Sequence, residues 1–171
     1  INRSGHTDKA RGNIFSFKPA PIQINYLGYP GTLGQDGIDY IIADKFVIPN
    51  KYQDFYSEKI IFLNNCFYPT DNNRIISKKN FNRMDLEINE DAFVFCSLNN
   101  SYKITAQEIE VWSRVLLNVK NSFLVLLSNN QEMKKNIIAE VIKNKINPDC
   151  IKFVEYLDYE NHMARHLIFD L

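Results

Sequence analysis

No apolar stretch in this chain approaches the roughly 18 to 20 residues needed to span a bilayer, and its first residues lack a charged-then-apolar signal pattern. Insertion into a membrane and secretion are both disfavoured. Net charge is also missing: 20 Lys and Arg balance 20 Asp and Glu, so no broad field favours nucleic acid or an anionic membrane surface. Any anion site must be local. Cysteine is scarce, and Cys66, Cys96 and Cys150 lie scattered in or beside apolar runs, where a thiol packs as a small hydrophobe. That usage points to a reducing, cytoplasmic compartment. The glycine-rich phosphate loops G-x-x-x-x-G-K-[ST] and G-x-G-x-x-G are absent, as are H-E-x-x-H, C-x-x-C and any D-x-D pair. Metal-assisted transfer of the D-x-D kind is therefore unsupported, and Asp36, Asp39 and Asp44 read as loop and turn residues.

What is present suffices for a core, since 45% of the 171 residues are hydrophobic and 13% aromatic. Residues 1–21 mix Gly5, Gly12, Pro19 and Pro21 with basic residues and read as loop. Residues 22–27, 39–43 and 59–63 are short apolar runs of the buried-strand kind. A polar stretch over 64–90 then reads as a linker. Beyond it the periods become regular: strand 92–96, helix 105–120 with a T-x-x-E capping box at Thr105 and Glu108, strand 122–127, helix 131–145, strand 151–154, helix 159–169. Such alternation predicts an α/β fold with a Rossmann-like parallel sheet, whose ligands bind outside the carboxyl ends of the strands. Both ends read as cut, because the chain starts at Ile1 and stops in an apolar run at Leu171 with no stop signal.

The loops after the strands at 92–96 and 151–154 hold the candidate chemistry. Residues 97–104 are polar and feed a capped helix whose N-terminus suits a phosphate, and Lys103 adds a mobile positive charge. The same residues also fit a solvated lysine on an asparagine turn. His162 and Arg165 share a helix face and would suit a nucleoside by stacking and forked donation; an ordinary amphipathic surface helix fits them as well. Leu27-Gly28-Tyr29-Pro30-Gly31 is either a close backbone approach to a ligand or a tight turn. His6 and Thr7 form a further polar pair in a loop.

Taken together, residues 15–34 (FSFKPAPIQINYLGYPGTLG), 39–44 (DYIIAD), 56–59 (YSEK), 93–104 (FVFCSLNNSYKI) and 162–165 resemble, in order, the catalytic region of O-linked N-acetylglucosamine transferases and their bacterial relatives. The long P-A-P-I-Q-x-x-x-L-G-Y-P-G-T segment, preceded here by Lys18, is the most specific part. The resemblance implies a two-lobed GT-B fold, with residues 1–63 from the first lobe, 64–90 the linker and 91–171 from the second lobe, usually behind tetratricopeptide repeats. It further implies inverting transfer of N-acetylglucosamine from a uridine-diphosphate sugar to Ser or Thr of a protein, without metal or other cofactor and without nucleic-acid or membrane partners. Fucose from a guanosine-diphosphate donor, glucose transfer to asparagine, or a module that kept the fold and lost the chemistry are the alternatives.

On the same resemblance, Lys103 neutralises the departing diphosphate and Asn100 is its neighbouring donor-site position. Leu157, Tyr159, His162 and Arg165 surround the nucleoside, Tyr159 standing where animal members have lysine. Leu27, Gly28 and Pro30 approach the sugar and diphosphate. His6 and Thr7 form a possible active-site loop, with Asp8 in place of a lysine. No residue presents itself as the general base. Family segments on both sides, one bearing a histidine and one reading His-Thr-Thr, are missing, so these residues are expected to hold part of the donor site without turning over alone.

Overall fold

The apolar runs become two three-stranded parallel sheets, one in each of two units, Ile1–Asn72 and Asn73–Leu171, of a computed structural model that describes residues 1–7, 9–128 and 130–171. The expected α/β class with parallel sheets holds.

In the first unit, β1 (Ile24–Asn25), β2 (Tyr40–Ala43) and β3 (Lys59–Phe62) lie in that order, with Ile24 opposite Tyr40 and Ile41 opposite Ile60. Asn2 adds a parallel bridge to Asn25 on the outer side. The core is Ile41, Ala43 and Ile48, with Val47, Tyr56, Ile60 and Phe62 packed against it. The first strand is much shorter than the run 22–27 suggested. Its entrance is diverted because the Gln23 N–H donates to the Asp39 carboxylate at 2.8 Å, and its exit is turned because Leu27 takes φ 88°. Asp44 ties the loop after β2, accepting from the N–H groups of Phe46, Val47 and Phe67. Those three donors hold its carboxyl below the usual range.

In the second unit, β4 (Phe93–Ser97), β5 (Ser122–Leu127) and β6 (Ile151–Val154) are again parallel and in chain order, joined by α1 (Ala106–Asn118) and α2 (Gln131–Lys143). Helix α1 starts at the capping box that the sequence announced, and Ile109, Trp112 and Leu116 face the sheet. Helix α2 starts at Asn130, whose side chain accepts from the N–H groups of Glu132 and Met133, and it buries Ile137 and Val141. Ile142, next to Val141 in the chain, points to solvent at 57% exposure. These helices pack over Leu124, Leu126 and Ile151, while Ile88, Ala92, Val94, Val125 and Phe169 form a second cluster. Alternate residues of β5 therefore enter different clusters, which explains its continuous apolar run.

The last expected helix divides into α3 (Tyr159–Ala164) and a 3-10 turn, Arg165–Ile168. Beyond it the backbone runs along the free edge of β4: Leu171 N–H donates to the Val94 carbonyl, and Cys96 N–H donates to the Leu171 carbonyl at 2.7 Å. That alternation is the parallel pattern. The unit boundary falls inside the stretch read as a linker, and residues 73–90 belong to the second unit. Arg83 fastens them, donating to the carbonyls of Ile168, Glu90 and Ala92 and to both oxygens of Asp170.

Candidate donor site

In the second unit the strands progress from β4 to β6, and the chain then returns to the opposite edge of β4. The direction of winding thus reverses at β4, and in open parallel sheets the crevice at such a reversal, beyond the carboxyl ends, is where ligands bind. The residues at that end are Ser97–Lys103. A 3-10 turn, Ser101–Lys103, follows Asn100, whose carbonyl accepts from the Lys103 N–H at 3.0 Å. The turn leaves the Lys103 ammonium exposed and without a partner among the described residues. Asn100 Oδ1 accepts from the Tyr156 hydroxyl at 3.0 Å, which joins this loop to the one after β6.

After β6 come Leu157, Tyr159, His162 and Arg165. Leu157 and Tyr159 are exposed, and the Tyr159 ring lies 5.3 Å from the Arg74 guanidinium, a cation over an aromatic face. His162 and Arg165 do meet. Arg165 Nη2 donates to His162 Nδ1 at 2.8 Å, and since arginine has only donors, the neutral imidazole must carry its proton on Nε2. Burial, followed by the charges of Arg165 and His166, pushes the His162 pKa down and keeps the ring neutral. Arg165 is 3% exposed and holds the carboxyl end of β6 through the Glu155 carbonyl at 2.6 Å. Its fork is therefore turned into the protein, not presented to a nucleoside as the helix periodicity suggested.

The helix N-terminus also differs from expectation. Glu108 closes the capping box by accepting from the Thr105 N–H at 2.9 Å and from the Thr105 hydroxyl, and these bonds hold its carboxyl below the usual range. The start of α1 is thus neutralised by its own carboxylate. Lys103 is left as the unpaired cationic group of this loop.

In the first unit the other predicted residues converge on the loop after β1. Leu27 sits in the left-handed region, uncommon for a leucine. A Cβ on Gly28 would lie 2.6 Å from the carbonyl carbon and oxygen of Ser4, so only glycine permits residues 3–4 to pass so close. The Pro30 carbonyl accepts from the Tyr56 hydroxyl at 3.0 Å; burial, then nearby Tyr29 and Glu58, raise that phenol's pKa and keep it a donor. His6 Nε2 donates to the Thr32 carbonyl at 2.9 Å, and the Thr7 hydroxyl donates to Ser4 at 2.6 Å. Asp8 lies outside the described residues.

Three anchors of this arrangement escaped the sequence reading. Glu58, 4% exposed, accepts from Leu33 N–H at 2.7 Å and from the Thr32 hydroxyl at 2.6 Å. Tyr56 fastens Pro30, and Tyr156 fastens Asn100. The first two stand in the Y-S-E-K stretch, which carries no chemical signal in the sequence beyond its family resemblance. An apolar cavity of about 350 Å³ beside β4, lined by Phe95, Trp112, Val115, Leu116 and Leu171, offers no charged group and does not suit a diphosphate.

Comparison with known proteins identifies the family and the fold. The sequence model of glycosyl transferase family 41 matches residues 1–83 and 79–171. The chain is 34% identical over its whole length to the probable UDP-N-acetylglucosamine–peptide N-acetylglucosaminyltransferase SEC of Arabidopsis thaliana, spanning 18% of that protein. It is 38% identical over 76 residues, 44% of the chain and 7% of the relative, to the UDP-N-acetylglucosamine–peptide N-acetylglucosaminyltransferase of Caenorhabditis elegans. A mutant O-GlcNAc transferase of Thermobaculum terrenum shares the fold, with TM-score 0.79 at 17% identity over 95% of this chain and 30% of that one. With both of its units matched, the chain belongs to glycosyl transferase family 41.

Proposed function

We propose that this chain carries donor-binding elements of an inverting protein glycosyltransferase, which moves N-acetylglucosamine from its uridine-diphosphate donor to a Ser or Thr hydroxyl. The relatives' names give that donor and a peptide acceptor. The observation that carries the reading is Lys103, an unpaired cation at the carboxyl end of the strand where the sheet reverses. As the acceptor oxygen attacks the anomeric carbon in line, the bond from that carbon to the diphosphate oxygen breaks and negative charge grows on the leaving group. Lys103 neutralises that charge, with Asn100 beside it. Because Glu108 offsets the start of α1, the lysine supplies this stabilisation without a bare helix terminus.

His162 serves the nucleoside through its Nε2–H and ring face, and Arg165 fixes its tautomer. Leu157 and Tyr159 supply contacts from the preceding loop. For Leu27, Gly28 and Pro30 of the first unit, and for His6 and Thr7, the family resemblance is what supports a part in recognising the sugar and diphosphate. The protein works in the cytoplasm, behind tetratricopeptide repeats and without a metal cofactor. No helix among the described residues is long and apolar enough to cross a membrane.

Thermal denaturation of the intact protein with nucleotides tests the reading. Stabilisation by UDP and not by GDP is expected, because a ligand that binds only the folded state raises its stability. Stabilisation by GDP alone would transfer the proposal to a guanosine-diphosphate donor.

A further inference from the structure

The loops after β4 and β6 are separated in the sheet by β5, so the strand ladder does not itself set one loop against the other. The Tyr156–Asn100 bond of 3.0 Å does so. With Oδ1 of Asn100 engaged, Nδ2 and its two N–H groups have no partner among the described residues, and they belong to the same short loop as the Lys103 ammonium, which likewise has none there. Both side chains of the bond are exposed, so it contributes little to folding. Its consequence is orientation. An unrestrained asparagine can turn its amide over and present the carbonyl lone pairs to an anion.

We infer that Tyr156 is a positioning residue for diphosphate recognition: its hydroxyl holds Asn100 so that the amide N–H groups, together with the Lys103 ammonium, face the terminal phosphate of a nucleoside diphosphate. This rests on the proposed donor-binding role. It goes further in making discrimination between a nucleoside diphosphate and a monophosphate depend on a tyrosine that need not touch the ligand. A monophosphate lacks the terminal group and gains nothing from the arrangement.

Titration calorimetry of the intact protein with UDP and UMP tests this, using Tyr156→Phe, Asn100→Ala and the double variant. Tyr156→Phe should weaken UDP about three- to tenfold, as expected for one lost polar interaction, and leave UMP unchanged. The double variant should bind UDP no more weakly than Asn100→Ala alone, since the tyrosine acts through the asparagine. Asn100→Asp, which still accepts from Tyr156 but presents negative charge, should lose UDP more than UMP. Equal losses for both nucleotides, no loss in Tyr156→Phe, or additive losses in the double variant would overturn the inference while leaving the donor-site reading intact. Failure of the unsubstituted protein to bind either UDP or GDP would remove both. Should GDP bind in place of UDP, the same comparison is made with GDP and GMP.

Discussion

Arg165 holds His162 and the end of β6 at once, donating to the imidazole Nδ1 at 2.8 Å and to the Glu155 carbonyl at 2.6 Å. A proton arriving on Nδ1 would face an arginine donor, so the folded protein resists charging this ring. Its pKa lies below the ordinary 6.5, first because of burial and then because of Arg165 and His166. The unfolded chain therefore takes up the proton earlier as pH falls. Stability from this site is fully present above pH 6.5 and declines as the pH drops toward the folded-state value. Denaturant titrations of the protein and of His162→Gln at several pH values should show that the variant loses part of this acid sensitivity. Identical pH profiles would show that the contact does not restrain the ring.

Glu58 predicts a stability effect in the first unit. Removing a buried acceptor leaves the Leu33 N–H unpaired, at a cost of about 1–3 kcal/mol, and frees the end of the glycine-proline turn. Glu58→Ala should be destabilised by that amount in urea and should raise the donor KM. Glu58→Gln, which keeps one carbonyl for Leu33, should lose less. Equal stability of all three proteins would contradict the anchoring role.

Gly28 and Gly34 separate two uses of glycine. Gly28→Ala forces a methyl group onto the Ser4 backbone, so the loop must move, and donor binding should weaken even where the fold survives. Gly34, at φ 61°, has open space around the Cβ position; its alanine variant should cost only about 1–2 kcal/mol of left-handed strain. Donor KM measured for both variants distinguishes them, and equal KM values would place residue 28 away from the donor.

Much of the second unit was legible because its elements have unmixed periods. Strands 122–127 and 151–154 and the capping box at Thr105 appear where the sequence put them. Strand β1 was overestimated because an apolar run does not reveal that the Asp39 carboxylate takes a ladder donor or that Leu27 turns left-handed. The polar stretch over 64–90 concealed Arg83, two of whose four partners, Ile168 and Asp170, are remote in sequence. Periodicity placed His162 and Arg165 on one face, but it could not say that the arginine would be the buried member. Lys103 could be singled out by position after a strand, and Asn100 by the family resemblance. Tyr156 could not, because its role rests on one bond between loops 56 residues apart.

The central claim rests on Lys103. It is exposed and has no partner among the described residues, so Lys103→Ala should leave the melting temperature of the intact protein unchanged. Lost charge stabilisation at a leaving group should lower kcat by roughly a hundred- to a thousandfold. Steady-state transfer from the uridine-diphosphate sugar to a peptide, measured for the protein and this variant, decides the matter. A fall of that size with unchanged melting is the predicted result, and undiminished turnover would contradict the account.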